Sequence, residues 1–507
     1  MYNFSNRYLC VFVASIGSIM DGIDSGIITT TFEHPQFFEY FFGTPTDTKP
    51  TLEGLIVSIY SIGYAVGNLL AGPLMDRISR RRTLTVLSFI SLIGVILQTT
   101  AHTLAQLMVG RFIAGLGIGL APVTISTYAS EVAMAKERGV LIGIQGCLRS
   151  CGYTIASWIG FASSYDTSSE GTWRIPLAMQ IPLTVSLMVG SLFLPSSPRW
   201  LIQQDRDEEA LEVLIKLHKK AGREFAVTEF AQMRDQMKYE KIQNENLNLI
   251  GKIRQLISTR YRTRFFLVLF IYGATATTGA TVAAQYQSIM FGAIGISGRT
   301  LLLVSACYGF MGPSFSLINI LFIADKWGRR TTLWFWSLMI GIDLAIIMAL
   351  VGSFTNGNGD GFSESAASIA FIFLFSGLFS ISFENTPALV ANELLPYILR
   401  GTGTGIGWFV TTGIGILISQ FSPDIFDDIS WKYYGVYVVT NCINAAGFYF
   451  FLPETKGLNL EQVAAIFGEE VMGENVDKIE IEEIENIGAT AAEPKDVVSQ
   501  AHVENSV

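Results

Sequence analysis

Two acids three residues apart, Asp21 and Asp24, sit inside the apolar stretch SIMDGIDSGIITT near the start of the chain. On a helix that spacing puts both on one face. Other apolar runs also carry ionisable residues: Arg111 opens RFIAGLGIG, Arg149 lies in GCLRSCGYT, Asp343 in GIDLAII and Glu384 in SFENTPALV. A charge held away from water needs a partner, and a carboxylate that exchanges its partner for a proton can carry that proton. The competing reading is a fixed Asp–Arg pair that only clamps helices. Catalytic chemistry finds no support: HExxH, GxSxG and Walker-lysine motifs are missing, and the four histidines are scattered. No metal, no cofactor and no enzyme activity are expected. GLGIG at Gly115 has no strand before it and reads as helix packing.

The elements that must position these residues are membrane helices. Of 507 residues, 50% are hydrophobic and only 15% charged, with a positive mean hydropathy. Soluble chains carry nearer a quarter charged. Runs such as TLTVLSFISLIGVILQTT and TTLWFWSLMIGIDLAIIMALVG are long enough to cross a bilayer, which takes roughly 20 residues, and they do not alternate as strands would. The expected fold is an all-α membrane protein with spans at 8–30, 52–74, 83–101, 104–129, 139–162, 174–195, 265–291, 299–323, 331–352, 366–393, 402–421 and 432–452. The first span has acids at its centre and reads as a retained helix, not a cleaved signal. Five cysteines fall within spans and read as small apolar residues.

Basic residues set the orientation. Segment 196–264 holds 14 Lys/Arg, DRISRRR four and DKWGRR three. The positive-inside rule therefore predicts that both termini and the central segment are cytoplasmic. The net charge of −9 comes from the tail, where 13 Asp/Glu face 3 Lys/Arg from Glu454 onward. Within the central segment, RDEEALEVLIKLHKKA sets Leu211, Leu214 and Ile215 at helical spacing between charges.

The chain also repeats itself. GPLMDRISRRRT returns as FIADKWGRRTT, with Asp76 and Asp325 offset by 249 residues. Glu131 and Arg138 return as Glu393 and Arg400, offset by 262, and Pro195 returns as Pro453, offset by 258. Near-constant offsets imply two parallel six-helix halves around a cleft, an arrangement suited to alternating access. The expected organisation is an N-terminal half over 1–195, a cytoplasmic helical connector over 196–264, a C-terminal half over 265–453 and an acidic tail over 454–507. Asp76, Arg77, Arg81, Glu131, Arg138, Asp325, Arg329, Arg330, Glu393 and Arg400 would lock the cytoplasmic mouth shut. Alternatively, they serve only as topology signals.

GPLMDRISRR, GRFIAGLGIGLAPVTISTYASEV, RGVLIGIQ, WRIPLAMQ, LPSSPRWL, DKWGRR, ELLPYILRG and FLPETKGLNLEQVAAIF together resemble the sugar porter family of the major facilitator superfamily, particularly its fungal members. The resemblance runs from about residue 10 to 468. It implies twelve transmembrane helices in the major facilitator fold. DGID stands where proton-coupled relatives carry FGYD, so Asp24 matches the acid that resembles the proton carrier and Arg111 its basic partner.

The implied pocket departs from the family pattern. Asp21 replaces an aromatic that lines the sugar site in similar proteins. Arg149, eleven residues past Arg138 and so about 16 Å along the helix, is another departure near the midplane. At that depth it needs a partner, with Asp21 and Glu384 as candidates. Thr275 and Ala276 replace glutamines, Thr281 an asparagine and Gln285 a tyrosine, while Ala388 takes a tryptophan position and Thr411 and Thr412 an amide/tryptophan pair. The substrate-binding candidates are Asp21, Gln145, Arg149, Thr275, Thr278, Thr281, Gln285, Tyr286, Glu384, Asn385, Thr411 and Thr412. The threonines read equally as helix-packing residues. Trp408 is either an aromatic platform or a lipid-facing side chain.

The leading expectation is a plasma-membrane importer of a sugar or related polyhydroxy solute, driven by protons, with the bilayer, solute and protons as partners and no nucleic acid. An uncoupled sugar or polyol carrier, a carrier of a sugar-derived acid such as quinate, and a transport-inactive nutrient sensor are the alternatives.

Overall fold

The computed structural model describes residues 6–468 apart from 33, 43–48, 166–169, 220–221, 244–246, 286–290, 292–298, 356–361 and 459. The described residues form helices and no strands. Twelve helical spans follow one another: α1 Arg7–Phe32, α2 Lys49–Ile78, α3 Arg80–Thr99, α4 Leu104–Val132, α5 Arg138–Ser163, α6 in two pieces (Gly171–Ala178 and Gln180–Ser191), α7 in two pieces (Arg262–Ala276 and Ala280–Gln285), α8 Arg299–Ile323, α9 Arg329–Thr355, α10 in two pieces (Phe362–Ser382 and Thr386–Leu394), α11 Tyr397–Ile429 and α12 Tyr433–Phe451. Within the described residues, each of the twelve expected spans contains helix. Nine of them, among the described residues, are long and apolar enough by themselves to cross a membrane. The exceptions are α5, α6 and α12. Gln145 and Arg149 lower the hydropathy of α5.

Each half has its own apolar core. One is built on Leu84, Leu87, Val123, Ile125 and Tyr128, the other on Phe265, Val268, Ile340, Phe375 and Phe448. The halves meet along α2 against α11 and α5 against α8. At Gly72 the approach is so close that a Cβ would stand 2.6 Å from the Gly401 carbonyl carbon, so no larger residue fits there. Small residues at such crossings let helices pack without a driving force from lipid.

The connector folds as four helices: Pro198–Gln203, Asp207–Leu217, Arg223–Gln243 and Leu249–Leu256. Leu211 and Leu214 are buried and Ile215 partly so, as the amphipathic spacing predicts. This layer lies on the face that carries the Asp76 motif and reaches both halves. Trp200 Nε1 donates to the Asp76 carbonyl at 3.1 Å, and Lys252 Nζ lies 2.7 Å from Asp76 Oδ2. On the other half, the Ile398 N–H donates to Glu240 Oε2 at 3.3 Å, and Tyr397 Oη donates to Gln203 Oε1 at 3.3 Å. Burial pushes the Glu240 carboxyl above its ordinary range, offset in part by the hydrogen bond from Gln236.

Candidate functional site

The two acids of α1 turn toward the middle of the bundle and take different partners. Asp24 is wholly enclosed, and Arg111 Nη1 reaches both of its carboxylate oxygens, at 3.0 and 3.1 Å. The guanidinium also lies over the ring of Tyr60, 4.2 Å from its centre, which adds a cation–π contact. In this state the pair is electrically neutral and shut off from solvent.

Asp21, one turn earlier, accepts from Arg149 Nε at 2.9 Å and from Tyr64 Oη at 3.3 Å. Arg149 then extends to the opposite half, where its Nη1 lies 3.7 Å from Glu384 Oε1 on α10. Its guanidinium also faces Trp408 of α11 at 5.8 Å. Asp21 and Glu384 are nearly buried, at 4% and 8% side-chain exposure, whereas Arg149 keeps 32%. The Arg149 side chain is thus the most exposed member of the cluster. The partners expected for Arg149 are the ones it has.

Other expected pocket residues divide into two groups. Gln145 Nε2 donates to the Pro122 carbonyl at 3.4 Å, and its Oε1 is free among the described residues. Asn385 Nδ2 donates to Ser316 Oγ at 3.4 Å, while its Oδ1 lies against Gly146, where a Cβ would come within 1.8 Å. Thr412 accepts from Asn68 Nδ2 of the other half at 3.5 Å. Thr281 is half-buried beside Gly415. Asn385 and Thr412 thus lie at the interface between halves.

Thr275, Thr278 and Thr411 bond backbone groups instead. Thr275 donates to the Ile271 carbonyl on its own helix, and Thr411 donates to the Tyr272 carbonyl at 2.8 Å. Thr278 is fully buried at the α7 break, where its hydroxyl accepts from the Ala280 N–H and its carbonyl accepts from Asn441 of α12. All three hydroxyls are thus engaged with backbone groups, that of Thr278 at the break between the α7 pieces. Tyr286 and the Gln285 side chain lie outside the described residues. Asp343 is buried on α9, and neither of its oxygens has a partner among the described residues.

Sequence reasoning passed over Tyr60, Tyr64, Asn68 and Tyr272. The first three recur every fourth residue on α2, a polar stripe on one helix face that was there to be read. Trp408 faces Arg149 and packs, tilted by 53°, against Tyr272 at 5.4 Å, so it points inward and not to lipid. Among the buried polar atoms that lack a partner among the described residues are six on helices of the central cluster, from both halves: Tyr60 Oη, Asn68 Oδ1, Gln145 Oε1, Tyr272 Oη, Asn385 Oδ1 and Trp408 Nε1. Buried groups of this kind cost free energy until something bonds them.

The repeated motifs build a second site at one face of the bundle. Arg80 lies 3.0 Å from Glu131 and 3.5 Å from Asp76, and the other half repeats this with Arg329 at 3.5 Å from Glu393 and 3.8 Å from Asp325. The sequence duplication is therefore a duplication of a three-residue charge cluster. Contacts between halves close this face: the Val140 N–H at the start of α5 donates to Asp325 Oδ2 at 3.3 Å, and Arg138 Nη1 lies 3.9 Å from Glu393 Oε1. Burial raises the Asp325 carboxyl above its ordinary range, against the pull of Arg329. Glu454 of FLPETKGL caps α9 by accepting from the Arg329 and Arg330 N–H groups at 2.8 and 3.2 Å.

The remaining motif arginines are placed differently. Arg77 is exposed and has no partner among the described residues, because Ser79, at φ 82°, turns the chain so that Arg80 enters the cluster instead. Arg81 donates to the Ser191 carbonyl at 3.2 Å, inside its own half. The Arg330 side chain packs on Tyr449 of α12 at 5.0 Å, away from the other half. Arg400 is buried and donates to the Leu395 carbonyl at 3.4 Å.

A family model described as sugar (and other) transporter matches residues 10–467. The chain belongs to this family. Among curated relatives, an MFS-type transporter of Aspergillus cristatus, criB, is 30% identical over 459 residues, covering 90% of this chain and 92% of the relative. A quinate permease of Neurospora africana is 27% identical over 511 residues, covering 96% and 92%. The solved structure of the MFS proton:xylose symporter XylE, bound to 6-bromo-6-deoxy-D-glucose, superposes with a TM-score of 0.79 at 20% identity, covering 92% of this chain and 100% of that one. That likeness establishes the fold: two parallel six-helix halves of the major facilitator type. As a member of the sugar transporter family the protein is a secondary transporter and not an enzyme.

Proposed function

We propose that the protein imports a neutral polyhydroxy solute, a sugar or a polyol, by proton symport across the plasma membrane. The observation that carries this reading is the set of unpartnered buried polar atoms on α2, α5, α7, α10 and α11. A solute with many hydroxyls can donate to the carbonyl oxygens of Asn68, Gln145 and Asn385 and accept from Tyr60, Tyr272 and Trp408. The Trp408 ring would face the solute. Asp24 carries the proton, and Arg111 holds its charge until the halves rearrange. The motif face is the cytoplasmic one, in keeping with its Lys/Arg content, and both termini lie there. The proposed units are residues 1–195, 196–264, 265–453 and 454–507.

Charge counting supports a neutral solute. Asp21, Asp24 and Glu384 outnumber Arg111 and Arg149 when all are ionised and balance them once Asp24 is protonated, so in neither state does the cluster hold a spare cation for an anion. A sugar-derived acid is the second reading, favoured by the open part of Arg149 and by the quinate permease among the relatives. Uptake of labelled hexoses, disaccharides, polyols and quinate by transporter-null yeast expressing the chain, at pH 5 and pH 7, tests both. Saturable uptake of a neutral solute, faster at pH 5, is expected. Uptake of quinate alone would favour the acid reading, and no uptake of any solute would refute both.

A further inference from the structure

Glu384 differs from the other acids of the central cluster in what holds its charge. Asp24 and Asp21 lie on α1 and pair with arginines of their own half, at 3.0 and 2.9 Å. Both contacts can persist while the halves rock. Glu384 lies on α10, and its one cation is Arg149 of the opposite half, at 3.7 Å. It makes no hydrogen bond among the described residues. The titratable groups that face it are Arg149 and Cys147 of α5, Asp21 of α1 and Tyr64 of α2. Of these Arg149 alone is cationic, and its Nε is already committed to Asp21.

We propose that Glu384 is a second proton-binding carboxyl, ionised while α5 and α10 are together at Arg149 and protonated when they part. A buried carboxylate that loses its counter-charge is costly, and binding one proton from cavity water removes that cost without any other bond changing. In reverse, protonation of Glu384 weakens the cross-half contact and favours opening of the motif face. Arg149 keeps Asp21 throughout and is never left bare. Each cycle thus gains a proton step additional to Asp24. The inference rests on the alternating-access reading of the central cluster, but not on Asp24 as carrier or on the identity of the solute.

The test needs no solute. Spin labels at Arg77→Cys and Lys326→Cys, exposed positions in the two halves of the motif face, report the closed-to-open ratio by pulsed dipolar spectroscopy. The full-length chain in nanodiscs is compared from pH 5 to pH 8 as otherwise unsubstituted protein, Glu384→Gln, Glu384→Asp and Asp24→Asn. Asp325 is present in all of them, so its own response cancels in ratios between variants. The unsubstituted ratio divided by that of Glu384→Gln is expected to be near one at pH 5 and to rise with pH by up to about tenfold per unit. Glu384→Asp should restore the slope with a displaced midpoint, and Asp24→Asn should keep the Glu384-dependent part. A quotient constant with pH would mean a clamp that never titrates and would overturn the proposal. So would a pH profile abolished by Asp24→Asn and untouched by Glu384→Gln, a result that leaves the Asp24 assignment standing. Failure of the Asp24 assignment alone would leave the Glu384 slope intact.

Discussion

Glu393→Gln should unlock the motif face without unfolding it. Glu393 is 2% exposed and has two arginines near its carboxylate, but they are not equivalent. Arg329, at 3.5 Å, is in the same half and stays when the halves separate; Arg138, at 3.9 Å, is in the other half and leaves. Only the second contact biases the closed-to-open equilibrium. Two unit charges about 4 Å apart interact by about 4 kcal/mol at an effective dielectric of 20, before desolvation is counted. Solvation of the freed ions in the open state returns a large part, leaving about 1–2 kcal/mol, a factor of roughly 5–30 in the population ratio. The Val140–Asp325 hydrogen bond remains, so the face should loosen and not spring fully open. Spin labels at positions 77 and 326 give the ratio directly. Arg138→Ala should match Glu393→Gln, whereas Arg329→Ala should lower thermal stability with a smaller effect on the ratio. An unchanged ratio in Glu393→Gln, or an equal shift in Arg329→Ala, would refute the assignment of roles.

Arg149→Ala leaves two nearly buried carboxylates without their cation. With a third of the arginine side chain open, the expected loss sits at the low end of the range for broken buried pairs, about 3 kcal/mol. Thermal unfolding in detergent should show the loss, and adding Asp21→Asn with Glu384→Gln should recover most of it; no recovery would mean that Arg149 acts by packing. Glu240 gives a stability signature: its folded value lies above its ordinary 4.5, so its ionisation penalises the fold. The penalty is absent below the ordinary value and complete above the raised one. Stability should therefore fall as pH rises through that window, and Glu240→Gln should flatten this part of the profile. An unchanged profile in the variant would contradict the burial argument.

Much of this architecture was legible because duplication leaves residues at fixed offsets. The pairs Asp76/Asp325 and Glu131/Glu393 marked the motif face, and both halves build the same charge cluster from them. Arg149 was readable for a different reason: a guanidinium at the midplane demands acids, and few were available. The α7 threonines kept two readings because hydroxyls that line a cavity and hydroxyls that bond backbone carbonyls share one sequence signature. The exchange of Arg77 for Arg80 was hidden by a local turn at Ser79, which alters which of two neighbouring arginines points inward. Tyr60, Tyr64 and Asn68 escaped notice because a sparse polar stripe on an apolar helix resembles ordinary interfacial aromatics. Its four-residue period was the available clue.

Proton-driven accumulation through Asp24 is best tested in proteoliposomes. The full chain is loaded against an imposed pH gradient, with the solute that the uptake panel identifies, and compared with Asp24→Asn. The unsubstituted protein should accumulate solute above the external concentration and lose that excess when a protonophore is added. Asp24→Asn should only equilibrate solute while still exchanging it across the membrane. Concentrative uptake that survives in Asp24→Asn, or unsubstituted uptake indifferent to the gradient, would contradict the account.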